Sequence, residues 1–225
     1  MGTGTYATQC NRYFDNIEAE GVEIDGKITE LSRKYFELDK NIEVTTYDGR
    51  AFLNAVDKKY DVIMVDAYQD ITIPFQMSSI EFFTLVKNHL VDDGVMVVNM
   101  NMRGEKNGSI NQYLSDTIGS VFNSEYIVDV KNSTNRELFA SENQNVMDDL
   151  AENISKIKNL ELKDMMTNVY GQMIAYNKGN YILTDDKAHV ELLGMQVIDD
   201  LIRDEVTYYR DVFEKYGIKG VIDEL

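Results

Sequence analysis

The stretch Tyr60-Asp61-Val62-Ile63-Met64-Val65-Asp66-Ala67 decides the architecture. Its apolar run, Val62 to Val65, lacks the alternation of a strand with one wet face; continuous apolar residues mark a strand buried on both faces. Asp66 closes the run with a carboxylate. The pattern recurs at Val95-Met96-Val97-Val98, entered through Asp93-Gly94 and followed by Asn99. Upstream, Ala19-Glu20-Gly21-Val22-Glu23-Ile24-Asp25 reads as a short strand ending in acids, and Ile42-Glu43-Val44-Thr45-Thr46 as a β-rich segment. Downstream, Tyr126-Ile127-Val128 and Leu138-Phe139-Ala140 close the series. Helical spacing separates these segments: Tyr6, Cys10, Tyr13, Phe14 and Ile17; Ile28, Leu31 and Tyr35; a helix through Phe52 and Val56; residues 78–91; and Ile110, Tyr113, Leu114, Ile118 and Val121. Strand–helix alternation around fully buried strands predicts an α/β fold over residues 1–142, a doubly wound sheet with helices on both faces.

From about residue 143 the period becomes mostly helical. Leu150, Ile154 and Ile157 share one face, Leu162, Met165, Met166, Val169 and Met173 form a stripe that reads as core packing, and Ile198, Leu201, Ile202, Tyr209, Val212 and Phe213 mark a last helix. Residues 143–225 are therefore expected to form a helical C-terminal extension packed on the sheet. No Pro- or Gly-rich linker precedes it.

Composition narrows the function classes. Of 225 residues, 39 are acidic and 22 basic, a net charge of −17, which opposes nucleic acid or an anionic membrane as partner. One cysteine, Cys10, excludes an intramolecular disulfide framework, and with only two histidines a metal site is not expected. Cys10 reads as a buried apolar residue rather than a nucleophile. No run approaches the ~18 apolar residues of a spanning helix. The expectation is a cytoplasmic domain, or the soluble domain of a longer membrane-anchored precursor.

Candidate site residues stand at the C-terminal ends of successive predicted strands, where open α/β sheets bind ligands. Gly2-Thr3-Gly4-Thr5 feeds a helix; glycines let the backbone approach a ligand, and the helix N-terminus offers free N–H groups. Glu23 follows about 20 residues later, a spacing at which a carboxylate accepts both hydroxyls of a ribose. Asp25 reads as the cap of the next helix. Asp48-Gly49 suits an adenine amino group with room for the base, or Asp48 is itself an N-cap. Asp66 points into the crevice, where a carboxylate orients or deprotonates an amine, or bonds to nearby backbone N–H groups.

Together these residues resemble the spermidine synthase family, aminopropyltransferases on the Rossmann-like class I S-adenosylmethionine methyltransferase fold. The resemblance runs to about residue 142 through Gly2-Thr3-Gly4-Thr5-Tyr6-Ala7, Val22-Glu23-Ile24-Asp25, Asp48-Gly49-Arg50-Ala51-Phe52, Tyr60 to Ala67 and Asp93 to Asn99. It implies that Glu23 binds ribose, Asp48 binds adenine and Asp66 lies at the reacting amine. It implies decarboxylated S-adenosylmethionine or S-adenosylmethionine as co-substrate, a polyamine acceptor and a homodimer. Thr3 stands where the family usually has an aspartate toward the donor's amine. Gln69 stands where a second aspartate normally binds the acceptor, with Asp70 next along. The tail segment from Tyr181 to Glu191 resembles one in spermidine synthase-like proteins, and Asp185 or Asp186 there reads as a helix cap, with His189 on the surface.

A doubly wound fold also places a strand before its glycine loop, central in the sheet, and no residues precede Met1 to form it. The expectation is an open slot between the strands ending at Glu23 and Val65, in a fragment or a chain with an internally assigned start. Two other functions fit the sequence: a methyltransferase using S-adenosylmethionine itself, and a non-catalytic nucleoside-binding or dimerisation module.

Overall fold

Each strand predicted from the apolar runs is present in the computed structural model, which describes residues 1–68, 73–100, 106–131, 133 and 135–224. The strands are β1 (Glu20–Glu23), β2 (Glu43–Thr46), β3 (Tyr60–Val65), β4 (Leu90–Met100), β5 (Ser124–Asp129), β6 (Arg136–Ser141) and β7 (Ile174–Ala175). The helices are α1 (Thr5–Tyr13), α2 (Gly26–Tyr35), α3 (Gly49–Ala55), α4 (Ile80–Asn88), α5 (Ile110–Gly119), α6 (Val146–Lys156), α7 (Leu160–Gln172) and α8 (Val190–Glu224).

The strands form two pieces rather than one continuous sheet. β1 pairs in parallel with β2, while the larger sheet has the order β3-β4-β6-β5-β7. β3 and β4 are parallel; β6 runs antiparallel to both β4 and β5, because a link of only a few residues after β5 allows a reversal but no crossover. Among the described residues β1 and β3 share no backbone ladder. They are linked at their first residues instead: the Tyr60 hydroxyl and the Lys58 ammonium donate to the Glu20 carboxylate at 2.5 and 2.9 Å. The two strands are therefore joined at their first residues.

The core follows the larger sheet. Met96, Val98 and Met100 of β4 and Leu138 and Ala140 of β6 pack against Phe82, Phe83 and Val86 of α4 and Leu114 and Ile118 of α5, all buried. Beside β1 and β2 the core shrinks to Ala7, Leu38 and Ile42. Here the expected burial of the first helices fails: Tyr6, Phe14, Ile17, Ile28, Leu31 and Tyr35 are exposed. Two short strands cannot cover the apolar stripes of α1 and α2. Amide hydrogen exchange should show this division. Protection in β4 and β6 is expected to exceed that in β1 and β2 by roughly 10² or more, and equal protection would mean that the pieces open as one unit.

The C-terminal region is mostly helical, with one strand added. Ile174–Ala175 adds a strand at the sheet edge beside β5, a segment too short to show a period of its own. Met165 is exposed and Met166 and Met173 are half-buried, so the stripe on α7 is not core; Leu162 is its buried residue. α8 is interrupted at Gly217, whose φ of 68° breaks the helical path. Among the described residues no helix is long and apolar enough to cross a membrane.

Candidate functional site

The glycine loop and the first strand end meet directly. Gly2 and Gly4 hold φ of 59° and 75°, left-handed values that glycine adopts without strain, and at Gly4 a Cβ would lie 2.5 Å from Leu38 Cδ1. This turn aims the Gly2 N–H at Glu23 Oε2, 2.8 Å away, while Asp25 N–H donates to Glu23 Oε1 at 3.1 Å. The Gly2 carbonyl is fixed from behind by the Ser32 hydroxyl of α2 at 2.7 Å. Partial burial acts to raise the Glu23 carboxyl. The two backbone donors and the Met1 amino group, 3.4 Å from Oε2, outweigh it and hold the group below its ordinary value. Glu23 is thus a carboxylate held on one side by backbone, and each oxygen keeps lone-pair capacity for a hydroxyl donor. Thr3 is turned to its neighbour Thr5, their hydroxyls 2.8 Å apart.

Asp25 caps α2 through Lys27 N–H, as its position predicts. Asp48 caps α3, its Oδ1 accepting from Ala51 N–H at 2.8 Å. Gly49 opens that helix, and a Cβ there would lie 3.5 Å from Met77 Cε. The neighbouring Arg50 makes a two-pronged ion pair with Asp185, at 2.8 and 2.7 Å, and donates to the Gln76 carbonyl. Ser79, the N-cap of α4, donates to the same carboxylate. Asp185 is therefore a tether rather than a helix cap. α8 begins five residues later at Val190, beyond reach of a capping bond, while Arg50 and Ser79 are at hand. The Arg50 hydrogen bonds, opposing a smaller burial effect, hold the Asp185 carboxyl below its ordinary value. His189 is exposed and sets its ring edge-on to Tyr113.

At the other strand end, three polar side chains form a row. Val65 pairs with Val98 and Asn99 pairs with Glu137, so Asp66, Asn99 and Glu137 occupy adjacent strands at one level and on one face. Asn99 Nδ2 donates to Asp66 Oδ1 at 3.1 Å, and Asp66 is exposed. Among the described residues, Asp66 thus bonds to a side-chain amide. Asn99 Oδ1 and Glu137 Oε2 are shielded from solvent and have no hydrogen-bond partner among the described residues. Burial, and then the Asp66 charge, pushes the Glu137 carboxyl up to about 7. Sequence reading gives Asn99 and Glu137 no role, because their meeting depends on the β4–β6 register. Gln69 and Asp70 lie outside the described residues.

A second carboxylate pair also escapes the sequence. Asp116 on α5 is fully buried, and its oxygens accept from Tyr176 OH, Gly179 N–H and Tyr181 N–H at 2.7–2.9 Å, strapping the tail segment over the helix. Glu125 beside it is 6% exposed, and among the described residues neither of its oxygens has a hydrogen-bond partner. It fits because residue 119 is glycine, where a Cβ would lie 2.5 Å from Glu125 Oε2. Cys10 is only half-buried; burial raises its thiol, opposing nucleophilic use, although the Tyr6 hydroxyl partly offsets this.

This arrangement has close parallels. The family model described as the spermine/spermidine synthase domain matches residues 2–137. A probable polyamine aminopropyl transferase of Bifidobacterium longum is 50% identical over 239 aligned positions, covering 99% of this chain and 54% of the relative. The chain thus spans about half the length of that relative. A spermidine synthase crystallised with the transition-state analogue AdoDATO superposes with a TM-score of 0.58 at 20% identity, over 73% of this chain and 63% of that one. Human methyltransferase-like protein 13, solved with SAH, also gives 0.58 at 18% identity, over 82% and 85%. The likeness to these two structures is one of fold, a methyltransferase-type α/β sheet. With the domain match reaching from the glycine loop through Asp66 to Glu137, the chain belongs to the spermine/spermidine synthase domain family.

Proposed function

We propose that this chain carries the nucleoside site and reacting carboxylate of an aminopropyltransferase, with decarboxylated S-adenosylmethionine as donor and a polyamine-type amine as acceptor. The observation that carries this reading is the closure of the glycine loop on Glu23 by the 2.8 Å bond from Gly2 N–H. It sets a carboxylate beside left-handed backbone at the carboxyl end of β1. Glu23 takes the ribose hydroxyls, Gly2, Thr3 and Gly4 line the donor, and Asp48 with Gly49 receives the adenine. Capping of α3 uses Asp48 Oδ1, and the same carboxylate presents a second oxygen to the exocyclic amine. The names of the relatives, and the AdoDATO and SAH bound to the two solved structures, support a nucleoside of this class.

Asp66 acts at the acceptor. The amine's lone pair attacks the methylene beside the sulfonium, the C–N bond forms, the C–S bond breaks with its pair returning to sulfur, and methylthioadenosine leaves. The new secondary ammonium then sheds a proton, for which Asp66 is the nearby base. Asn99 holds Asp66 Oδ1 and leaves its other oxygen for the amine. Residues 1–142 form this site, and residues 143–225 brace it through Asp185 and Arg50. A homodimer would bury apolar residues that α8 leaves exposed, among them Leu201, Ile202, Val206 and Phe213.

Release of methylthioadenosine from decarboxylated S-adenosylmethionine in the presence of a diamine tests the reaction. Transfer of a methyl group from S-adenosylmethionine instead would replace this reading by that of a methyltransferase. Glu23→Ala is expected to weaken nucleoside binding about tenfold to a hundredfold, since it removes two hydrogen bonds to a charged acceptor. Unchanged affinity would reject the ribose assignment.

A further inference from the structure

A diamine acceptor is an ammonium at the end remote from the reaction, and an ammonium bound away from water needs acceptors with spare charge. Where the resemblance to spermidine synthases implies an aspartate for the acceptor, the sequence has the neutral Gln69. The row at the ends of β3, β4 and β6 offers a replacement. Asp66 and Glu137 are separated by one intervening strand, about 10 Å between backbones, with Asn99 between them. Asn99 Oδ1 and Glu137 Oε2 are buried and lack donors among the described residues, while Asn99 Nδ2 is already committed to Asp66. Every unsatisfied atom of the row is an acceptor, the complement of an –NH3⁺ group, which has donors only.

We propose that Glu137 binds the distal ammonium of the diamine acceptor, with Asn99 Oδ1 as its neutral second ligand, while Asp66 takes the amine that reacts. This rests on the aminopropyl-transfer reading above and assigns the acceptor's second anchor. An ammonium between the two carboxylates satisfies both orphan acceptors and screens Asp66 from Glu137. The charge repulsion and burial that raise the Glu137 carboxyl are then compensated by ligand. Glu137 is a specificity residue: it separates a diamine from a monoamine of equal length, which has no second charge to place.

The test compares the chain with its Glu137→Gln and Glu137→Asp variants by calorimetric titration with 1,4-diaminobutane and with 1-aminobutane, each with and without methylthioadenosine. Expected are diamine binding weakened about tenfold or more by Glu137→Gln, partial recovery in Glu137→Asp, no change for the monoamine and no change for methylthioadenosine. Thermal unfolding is expected to be equal or later in Glu137→Gln, since a poorly solvated charge is removed, so loss of diamine affinity would not reflect misfolding. Equal diamine affinity in the chain and Glu137→Gln would overturn the assignment while leaving the nucleoside site standing. Failure of the unaltered chain to prefer diamine over monoamine would overturn it too. Absence of methylthioadenosine binding would count against the aminopropyltransferase reading, and the titrations without nucleoside would still decide the ammonium site.

Discussion

Asparagine in place of Asp66 is expected to lower the turnover number for aminopropyl transfer by about 10² to 10⁴, with the donor's affinity unchanged. The substitution keeps the size and the contact with Asn99, whose amide can still donate to the remaining carbonyl oxygen. It removes the negative charge that steadies the ammonium product and the base that accepts its proton. Because the donor binds through Glu23 and the glycine loop, its Kd should stay within about twofold, and the loss should fall on kcat. Rapid-quench measurement of methylthioadenosine release would separate the two. A variant with near-normal kcat would show that the reacting amine is deprotonated elsewhere, and Asp66 would be only a partner for Asn99.

The second large effect concerns stability. Burial foremost, then the adjacent Asp116 charge, pushes the Glu125 carboxyl from 4.5 up to about 9, Lys178 offsetting this in part. The folded chain thus keeps a proton that the unfolded chain releases near pH 4.5. Between those two values the unfolded state binds fewer protons, so this group's contribution to stability declines as pH rises and levels off above about 9. At pH 7 the accumulated penalty is on the order of 3 kcal/mol. Glu125→Gln reproduces the shape of the neutral acid without that penalty, and its amide can donate to Asp116. The variant should be more stable than the parent by up to about 3 kcal/mol at pH 7, with the advantage shrinking toward zero near pH 4.5. Urea unfolding of both proteins from about pH 5 to 8 checks it; parallel pH profiles would show that Glu125 finds water or a cation in solution.

How much of this is legible in the sequence follows from which signals are local. Val62 to Val65 and Val95 to Val98 betray their strands because both runs are apolar throughout, yet the expected burial on both faces fails: Val62 is 45% exposed, and only Met96 and Val98 of the second run are fully buried. The sheet order is not legible, since β6 lies between β4 and β5 with no helix before it. Gly2, Gly4 and Asp25 are legible because turn conformation and capping act over a few residues: both glycines hold left-handed backbone and Asp25 caps α2. Residue type is a poorer guide where partners lie far along the chain. Asp185 looks like a helix cap from its neighbours, yet its partner Arg50 is 135 residues away. Asp116 and Glu125 look like solvated acids on a helix and a strand until the tail folds over them. Glu137 alternates with Leu138 as any half-buried strand residue would, and only the β4–β6 register sets it beside Asn99. The exposed apolar stripes of α1 and α2 are a different failure: periodicity reports which face is apolar, and whether a sheet is there to cover it is a property of the assembled strands.

The central claim is that a methylthioadenosine-type nucleoside binds where the glycine loop meets Glu23. Calorimetric titration of methylthioadenosine into the chain and into Glu23→Ala and Asp66→Asn tests it most directly. The expected result is one nucleoside per chain, affinity reduced about tenfold or more in Glu23→Ala and retained in Asp66→Asn. Binding that is absent from the chain, or that survives Glu23→Ala unchanged, would contradict the account.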